Sequence, residues 1–379
     1  MKQKYYSNKR ILESGAPYML QLGERSNGKS YANKDYILRR AYSERDPYTG
    51  EPVTDYQFAY IRRWAVEIKG SDVEQYFADL IFRDDGARPI LDITDGNYDT
   101  IAVYRGGIYF AKTGEDGSIT RGKKIGNCFA LTQDTHYKSL SFPQIGVAVF
   151  EEFITDSGYL HKETKKFFSV VSTIFRRRNA KIFLVGNTLS RACVYFREWS
   201  LDAVLRQDRG TIVIYRKETD QTDDDGNPIT VDIAVEFCEN SGNNSKIFFG
   251  SGAKMITRGD WDSETQPHLS GELEDYQQIN EILFDFDGLG YLAHLLRDPD
   301  GRSLVYVEPS PEMDEDEREA RRVVTDKYSL NPRHSLTLLP NNFRYDMIYV
   351  NLIRGNKLAF SDDLTGTEFR ALVTQHSIL

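Results

Sequence analysis

Eight residues, Gly23-Glu-Arg-Ser-Asn-Gly-Lys-Ser30, constrain this chain more than any other segment. They match the spacing G-x-x-x-x-G-K-[ST] throughout, and an apolar run, Ala16–Leu22, leads into them. Ser30–Tyr42 follows with helix-compatible spacing of Tyr31, Ile37, Leu38 and Ala41. Glycines let the backbone wrap closely and turn its N–H groups toward an anion. A buried strand, a glycine turn and the positive end of a helix together make a phosphate cradle. In such a cradle the lysine reaches the β- and γ-phosphates and the serine hydroxyl ligates Mg²⁺. The expected ligand contacts are therefore Gly23, Glu24, Arg25, Ser26, Asn27, Gly28, Lys29, Ser30 and Tyr31, with ATP and Mg²⁺ as cofactors.

Hydrolysis also needs groups that hold the metal from the far side and orient water. These sit at the carboxyl ends of neighbouring strands in an open α/β sheet. Ile145–Phe150 (IGVAVF) is apolar and β-branched, and Glu151-Glu152 follows it. Glu151 is assigned to the Mg²⁺ shell together with Ser30, and Glu152 to polarising the attacking water. Glu151 departs from the more usual Asp by one methylene. A third apolar run, Lys181–Val185, ends in Gly186-Asn187, where Asn187 can sense the γ-phosphate. Lys162–Arg178 reads as a helix ending in three arginines. Such cations either complement a helix C-terminus or act on a neighbouring subunit's γ-phosphate.

Phe58–Arg63 reads as a strand, Ser71–Phe82 as an amphipathic helix, and Thr100–Phe110 with Gly117–Arg121 as a hairpin around Thr113–Gly117. Thr211–Tyr215 and Thr230–Phe237 flank an acidic turn and extend the sheet as a second hairpin. Strands alternating with helices predict an α/β unit with a mostly parallel sheet over residues 1–238. Residues 239–270 are polar and rich in Gly, Ser and Asn, as a linker would be. Residues 271–379 predict a small α+β domain, with short strands at Leu283–Leu292, Ser303–Val307, Ser335–Leu339 and Met347–Asn351. The charged run Pro309–Arg322 reads as a solvated loop and helix start.

Net charge is −9, which excludes a generally polyanion-coating surface but leaves room for local basic patches. Arg121, Lys123 and Lys124, read as a loop, are candidate phosphate contacts for nucleic acid. Apolar runs stay short of the about eighteen residues that a membrane-spanning helix needs. The first residues, Met-Lys-Gln-Lys-Tyr-Tyr-Ser, lack the apolar stretch of a signal peptide. Cys128, Cys193 and Cys238, like the six histidines, are scattered without ligand spacing, which predicts a reducing, cytoplasmic setting.

Five short motifs in one order resemble a single family: Gly23–Tyr31, Phe58–Trp64, Val149–Ile154, Thr173–Arg178 and Gly186–Ser190. The family is the DNA-encapsidation ATPase of small protein-primed tailed phages, the Picovirinae type, within the ASCE class of P-loop ATPases. The resemblance is specific over Gly23–Ser190 and thins past residue 240. It implies a homo-oligomeric ring, usually a pentamer, at the portal (connector) vertex of a prohead in the host cytoplasm, often docked on packaging RNA. Such a ring drives double-stranded DNA inward and makes no use of membrane. The resemblance places the catalytic glutamate at Glu152 and a trans-acting arginine at Arg176, with Arg178 ranked second. It implies that 271–379 is a ribonuclease-H-like, vestigial nuclease domain serving as a docking module. Three other readings stay open: a terminase with a live nuclease using Asp285, Asp287 and Glu308, a P-loop small-molecule kinase, and a nucleotide-gated binding protein.

Overall fold

In the computed structural model, described for residues 6–25, 27–155, 158–176, 178–188, 193–222, 226–239, 265–286, 289–311, 313–375 and 378, the first strand runs where its burial demands. Tyr18–Leu22 (β1) has Met19, Leu20, Gln21 and Leu22 all buried. Near-continuous burial is the mark of a strand with parallel partners on both sides and both faces covered. Those partners are Lys181–Val185 (β7) and Pro228–Phe237 (β9), both parallel to it.

The other strands of this sheet are Gln57–Arg62 (β2), Thr100–Tyr104 (β3), Gly107–Thr113 (β4), Ile119–Ala130 (β5), Ile145–Glu151 (β6) and Thr211–Thr222 (β8). Among the described residues the order is β3-β4-β5-β2-β6-β7-β1-β9-β8. The six central strands, β5 through β9 in that order, are mutually parallel, and antiparallel hairpins widen both edges. The helix Lys29–Tyr42 covers one face with Tyr36, Ile37, Leu38 and Ala41. The helix Glu163–Phe175 packs on strand β6, where Phe167 stacks on Phe150 at 5.6 Å between centroids. Parallel order aligns the carboxyl ends of β1, β2, β6 and β7 along one edge, and the functional side chains gather there.

The described residues fall into two compact units, 6–188 with 206–239, and 193–205 with 265–378. Of the expected linker at 239–270, residues 240–264 fall outside the described residues, while Gln266, Pro267 and His268 bond to Phe360 and Asp363 in the second unit. In the second unit Gln277–Phe286 (β10), Leu289–Arg297 (β11) and Ser303–Pro309 (β12) form an antiparallel meander. Val323–Thr325 (β13) lies parallel to β10, His334–Ser335 (β14) parallel to β13, and Leu358–Phe360 (β15) parallel to β12. The order is β14-β13-β10-β11-β12-β15. Tyr349, Val350 and Ile353 of one helix, and Phe369 and Leu372 of another, bury one face of this sheet with Phe284, Leu295 and Val307.

Several sequence-based expectations differ from what is observed. Ser71–Phe82 is two helices, Gly70–Tyr76 and Ala78–Ile81, broken at Phe77. Thr100–Phe110 is itself a hairpin, because Arg105 and Gly106 both take positive φ (47° and 74°) and turn the chain. Residues 120–125 are part of strand β5 and not a loop. Met347–Asn351 lies within the helix Arg344–Arg354, since Asp346, Tyr349, Val350 and Ile353 recur at helical spacing. A further helix, Asp363–Gln375, has no counterpart among the expected elements.

Candidate functional site

Strand β1 gives way to Gly23, whose φ of 146° is open to glycine, and the loop closes on Gly28 at φ 96°. Directly after Gly28, Lys29 opens the helix, turns inward and is 4% exposed. Its Nζ donates to the Glu24 carbonyl at 2.6 Å and to Asn27 Oδ1 at 3.2 Å. Burial lowers the pKa of this ammonium, and the neighbouring Cys238, Glu151 and Glu24 oppose that shift. The Lys29 backbone N–H donates to Asn27 Oδ1 at 3.1 Å. Asn27 Nδ2 is buried without a hydrogen-bond partner. Gly28 caps the helix with no side chain, leaving its positive end bare. Glu24 is buried and Arg25 exposed, while Ser26 lies outside the described residues.

A cavity of about 630 Å³ opens on this loop. Asn27, Gly28, Lys29, Ser30 and Tyr31 line it from the loop side, and Asn187 lines it from the end of β7. Glu151, at the end of β6, is 5% exposed. Strand β7 stands between β1 and β6, and Val185 is register partner to both Gln21 and Glu151. The Ser30 hydroxyl donates to Glu151 Oε2 at 3.0 Å, and the Tyr76 hydroxyl donates to Oε1 at 2.6 Å. Burial raises the Glu151 pKa, and those two hydrogen bonds pull against it. Tyr76 carried no signal of its own in the sequence, and Arg62 stood out only within the motif Phe58–Trp64 and as a strand-end cation, because their places beside the acids depend on which strands pair.

Glu152 turns away at φ 58° with its side chain 60% exposed, and Arg62 Nη2 donates to Oε2 at 2.8 Å. Arg62 also donates to Glu67 at 2.6 Å. Behind it, Arg63 holds the Glu152 and Phe153 carbonyls and pairs with buried Glu163.

The arginines of Thr173–Arg178 are not at this edge. Arg178 donates to the carbonyls of Phe142, Pro143, Ile145 and Ile174, which commits its guanidinium to the main chain at the start of β6. Arg176 is exposed at φ 52° and donates to the Leu140 carbonyl at 2.8 Å. Arg177 lies outside the described residues. From Ile145 to Glu151 is six residue steps, about 20 Å of extended chain, so neither arginine reaches the cavity of its own chain.

Arg121 is exposed, with its guanidinium 3.9 Å from the Tyr104 ring centre. Lys123 donates to the Ala41 carbonyl at 2.8 Å and sits over Tyr56. Lys123 and Lys124 are half-buried, and burial lowers both pKa values.

In the second unit Asp285 is buried and ion-paired with Arg318 and with Lys327 at 3.2 Å. The charged run Pro309–Arg322 does start a helix, Glu315–Ala320, with most of its residues exposed, but its arginines are paired: Arg318 with Asp285, Arg321 with Glu281, and Arg322 with buried Asp346 at 2.6 Å. Glu308 lies within β12 and accepts from His294 at 3.1 Å. Asp287 lies outside the described residues. Among the described residues there is no cluster of three or more His, Cys, Asp or Glu placed to hold a metal.

At the level of class, the chain is a mixed α/β protein with a large many-stranded sheet, similar in fold to the bacteriophage phi29 viral genome packaging motor assembly. The TM-score is 0.53 at 19% identity, over 98% of this chain and 99% of that one. Two relatives are named more closely: the DNA packaging proteins of Bacillus phages PZA and phi29 are each 25% identical to it over 206 residues, 53% of this chain and 51% of theirs. The chain thus spans about half the length of the curated relatives it matches. No family model matches it.

Proposed function

We propose that this chain is the Mg²⁺-dependent ATPase subunit of a viral genome-packaging motor. The observation that carries the reading is the 3.0 Å contact between the Ser30 hydroxyl, one residue past the loop lysine, and the Glu151 carboxylate two strands away. Both are hard oxygen donors, Ser30 lining the cavity and Glu151 directly behind it, the donor set Mg²⁺ prefers alongside phosphate oxygens. The unpartnered Asn27 Nδ2 and the bare helix end suit an anion at the same place. Bound Mg²⁺ would neutralise charge building on the β- and γ-phosphate oxygens. Lys29 would leave the Glu24 carbonyl for the phosphates, and Asn187 would contact the γ-phosphate from β7. Glu152 would leave Arg62 to orient the attacking water.

One strand standing between the phosphate-loop strand and the Glu151 strand supports the ASCE class. The meander β10-β11-β12 with β13 and β14 added parallel beyond β10 supports a ribonuclease-H-like order. There Arg318 and Lys327 both pair with Oδ2 of Asp285, cations where a nuclease would bring metal ions, which favours a docking module over a nuclease. The boundaries proposed are 1–238 for the ATPase, 239–270 for a linker and 271–379 for the docking domain. The sequence and fold relationships to packaging proteins support double-stranded DNA and a portal as partners. A homopentameric ring on packaging RNA at the prohead vertex, in the host cytoplasm, completes the proposal. Arg121 is the exposed candidate for DNA phosphate, with Lys123 and Lys124 less free to move.

The test is ATP turnover with and without double-stranded DNA and proheads, in the native protein and in Glu152→Gln. Strong stimulation is expected, and the variant should bind ATP normally yet turn over about 10²–10⁴-fold more slowly. Indifference of the native protein to both additions would sink the motor reading.

A further inference from the structure

Glu151 stands where one methylene less would be the simpler choice, and its extra torsion must be fixed if the carboxylate is to meet a cation in one geometry. Tyr76 supplies the means. Its hydroxyl donates to Oε1 at 2.6 Å, leaving Oε2 to Ser30 at 3.0 Å. Tyr76 is itself held on several sides. Its ring lies 4.6 Å from Tyr60 and 5.0 Å from Phe77. The Lys34 ammonium sits 4.8 Å over the ring and is fixed there by the Tyr76 carbonyl and Asp79. The break in the helices at Phe77 is what allows Tyr76 to close one helix facing β6 while Asp79 on the next holds Lys34.

We propose that Tyr76 is a positioning residue for the metal carboxylate: it locks Glu151 so that one oxygen, beside Ser30, faces the cation. This rests on the nucleotide-and-Mg²⁺ reading of the site. A ligand held by a rigid partner outside the coordination sphere pays less to order on binding. A hydrogen bond to a carboxylate of this kind is worth about ten- to a hundredfold in affinity.

The experiment follows binding of a fluorescent ATP analogue as Mg²⁺ is titrated, with a second measurement in EDTA, so the readout does not depend on turnover. Tyr76→Phe keeps the ring packing and removes one hydroxyl. It should raise the Mg²⁺ midpoint ten- to a hundredfold and leave metal-free binding unchanged. Glu151→Asp has a side chain too short for the Tyr76 hydroxyl, so adding Tyr76→Phe to it should produce no further shift. An unmoved midpoint, an equal shift in the Asp background, or a parallel loss of binding in EDTA would each overturn the proposal. Native protein that binds no nucleotide would remove the parent reading as well, and the unsubstituted control identifies that case.

Discussion

Arg63 and Glu163 meet inside the first unit with side chains 6% and 0% exposed. Two guanidinium N–H groups reach the two carboxylate oxygens at 2.8 and 3.0 Å. The same guanidinium donates to the Glu152 carbonyl at 3.0 Å and the Phe153 carbonyl at 2.9 Å. Removing one member leaves a charge buried without its partner, at a cost of about 3–5 kcal/mol. Glu163→Ala should lose that much. Arg63→Ala should lose at least as much, because it strips a charged donor from two carbonyls at about 1–3 kcal/mol each. The double variant buries neither charge, so its loss should fall short of the sum by about 2–3 kcal/mol. Denaturant unfolding of the four proteins measures this directly. Losses that add to within about 0.5 kcal/mol would refute the reasoning, since they would mean that the pair is not coupled in the folded chain.

Two further outcomes follow from the site. Mixing Arg176→Ala with Lys29→Ala subunits, each inactive alone, should restore part of the ATPase activity, because the two defects lie at opposite sheet edges; complete absence of rescue over a range of mixing ratios would count against action in trans. Glu151 has a pKa that burial raises above the ordinary 4.5, so the folded state binds its proton more tightly than the unfolded chain does. The stability it contributes is present below the unfolded pKa and is lost as pH rises through the folded one. Without metal, native protein and Glu151→Gln should therefore match in Tm at low pH, and the native protein should become the less stable as pH rises; a difference of the opposite sign would disprove the burial argument.

The phosphate loop was legible because its requirements are local. Gly23 and Gly28 stand where positive φ is needed, and the strand and helix lie on either side. Glu151 and Glu152 were legible for a related reason, the abrupt change from a fully buried strand to acid. What the sequence hid was pairing. That β7 separates β1 from β6, and that Tyr76 and Arg62 lie beside the acids, follows from contacts between distant residues with no periodic trace. Asp346 misled in another way: a buried carboxylate held by Arg322 sits on the apolar stripe of the helix Arg344–Arg354 and breaks its pattern. The ion pairs of the charged run before Arg322 were hidden because its partners, Asp285 and Glu281, sit on strand β10.

The phosphate loop sits at the carboxyl end of the sheet, whereas Arg176 bonds the chain leading into β6, a strand about 20 Å long; on the proposed assignment this gives each subunit a front that receives and a back that donates. Surfaces of that kind join head to tail, and a head-to-tail row either closes or runs on. On the proposed assignment, an open row of any length carries one cavity with no donor, and a lone subunit carries only that. Closure is then the step that completes the last site, so the count of working sites would report whether the ring is shut.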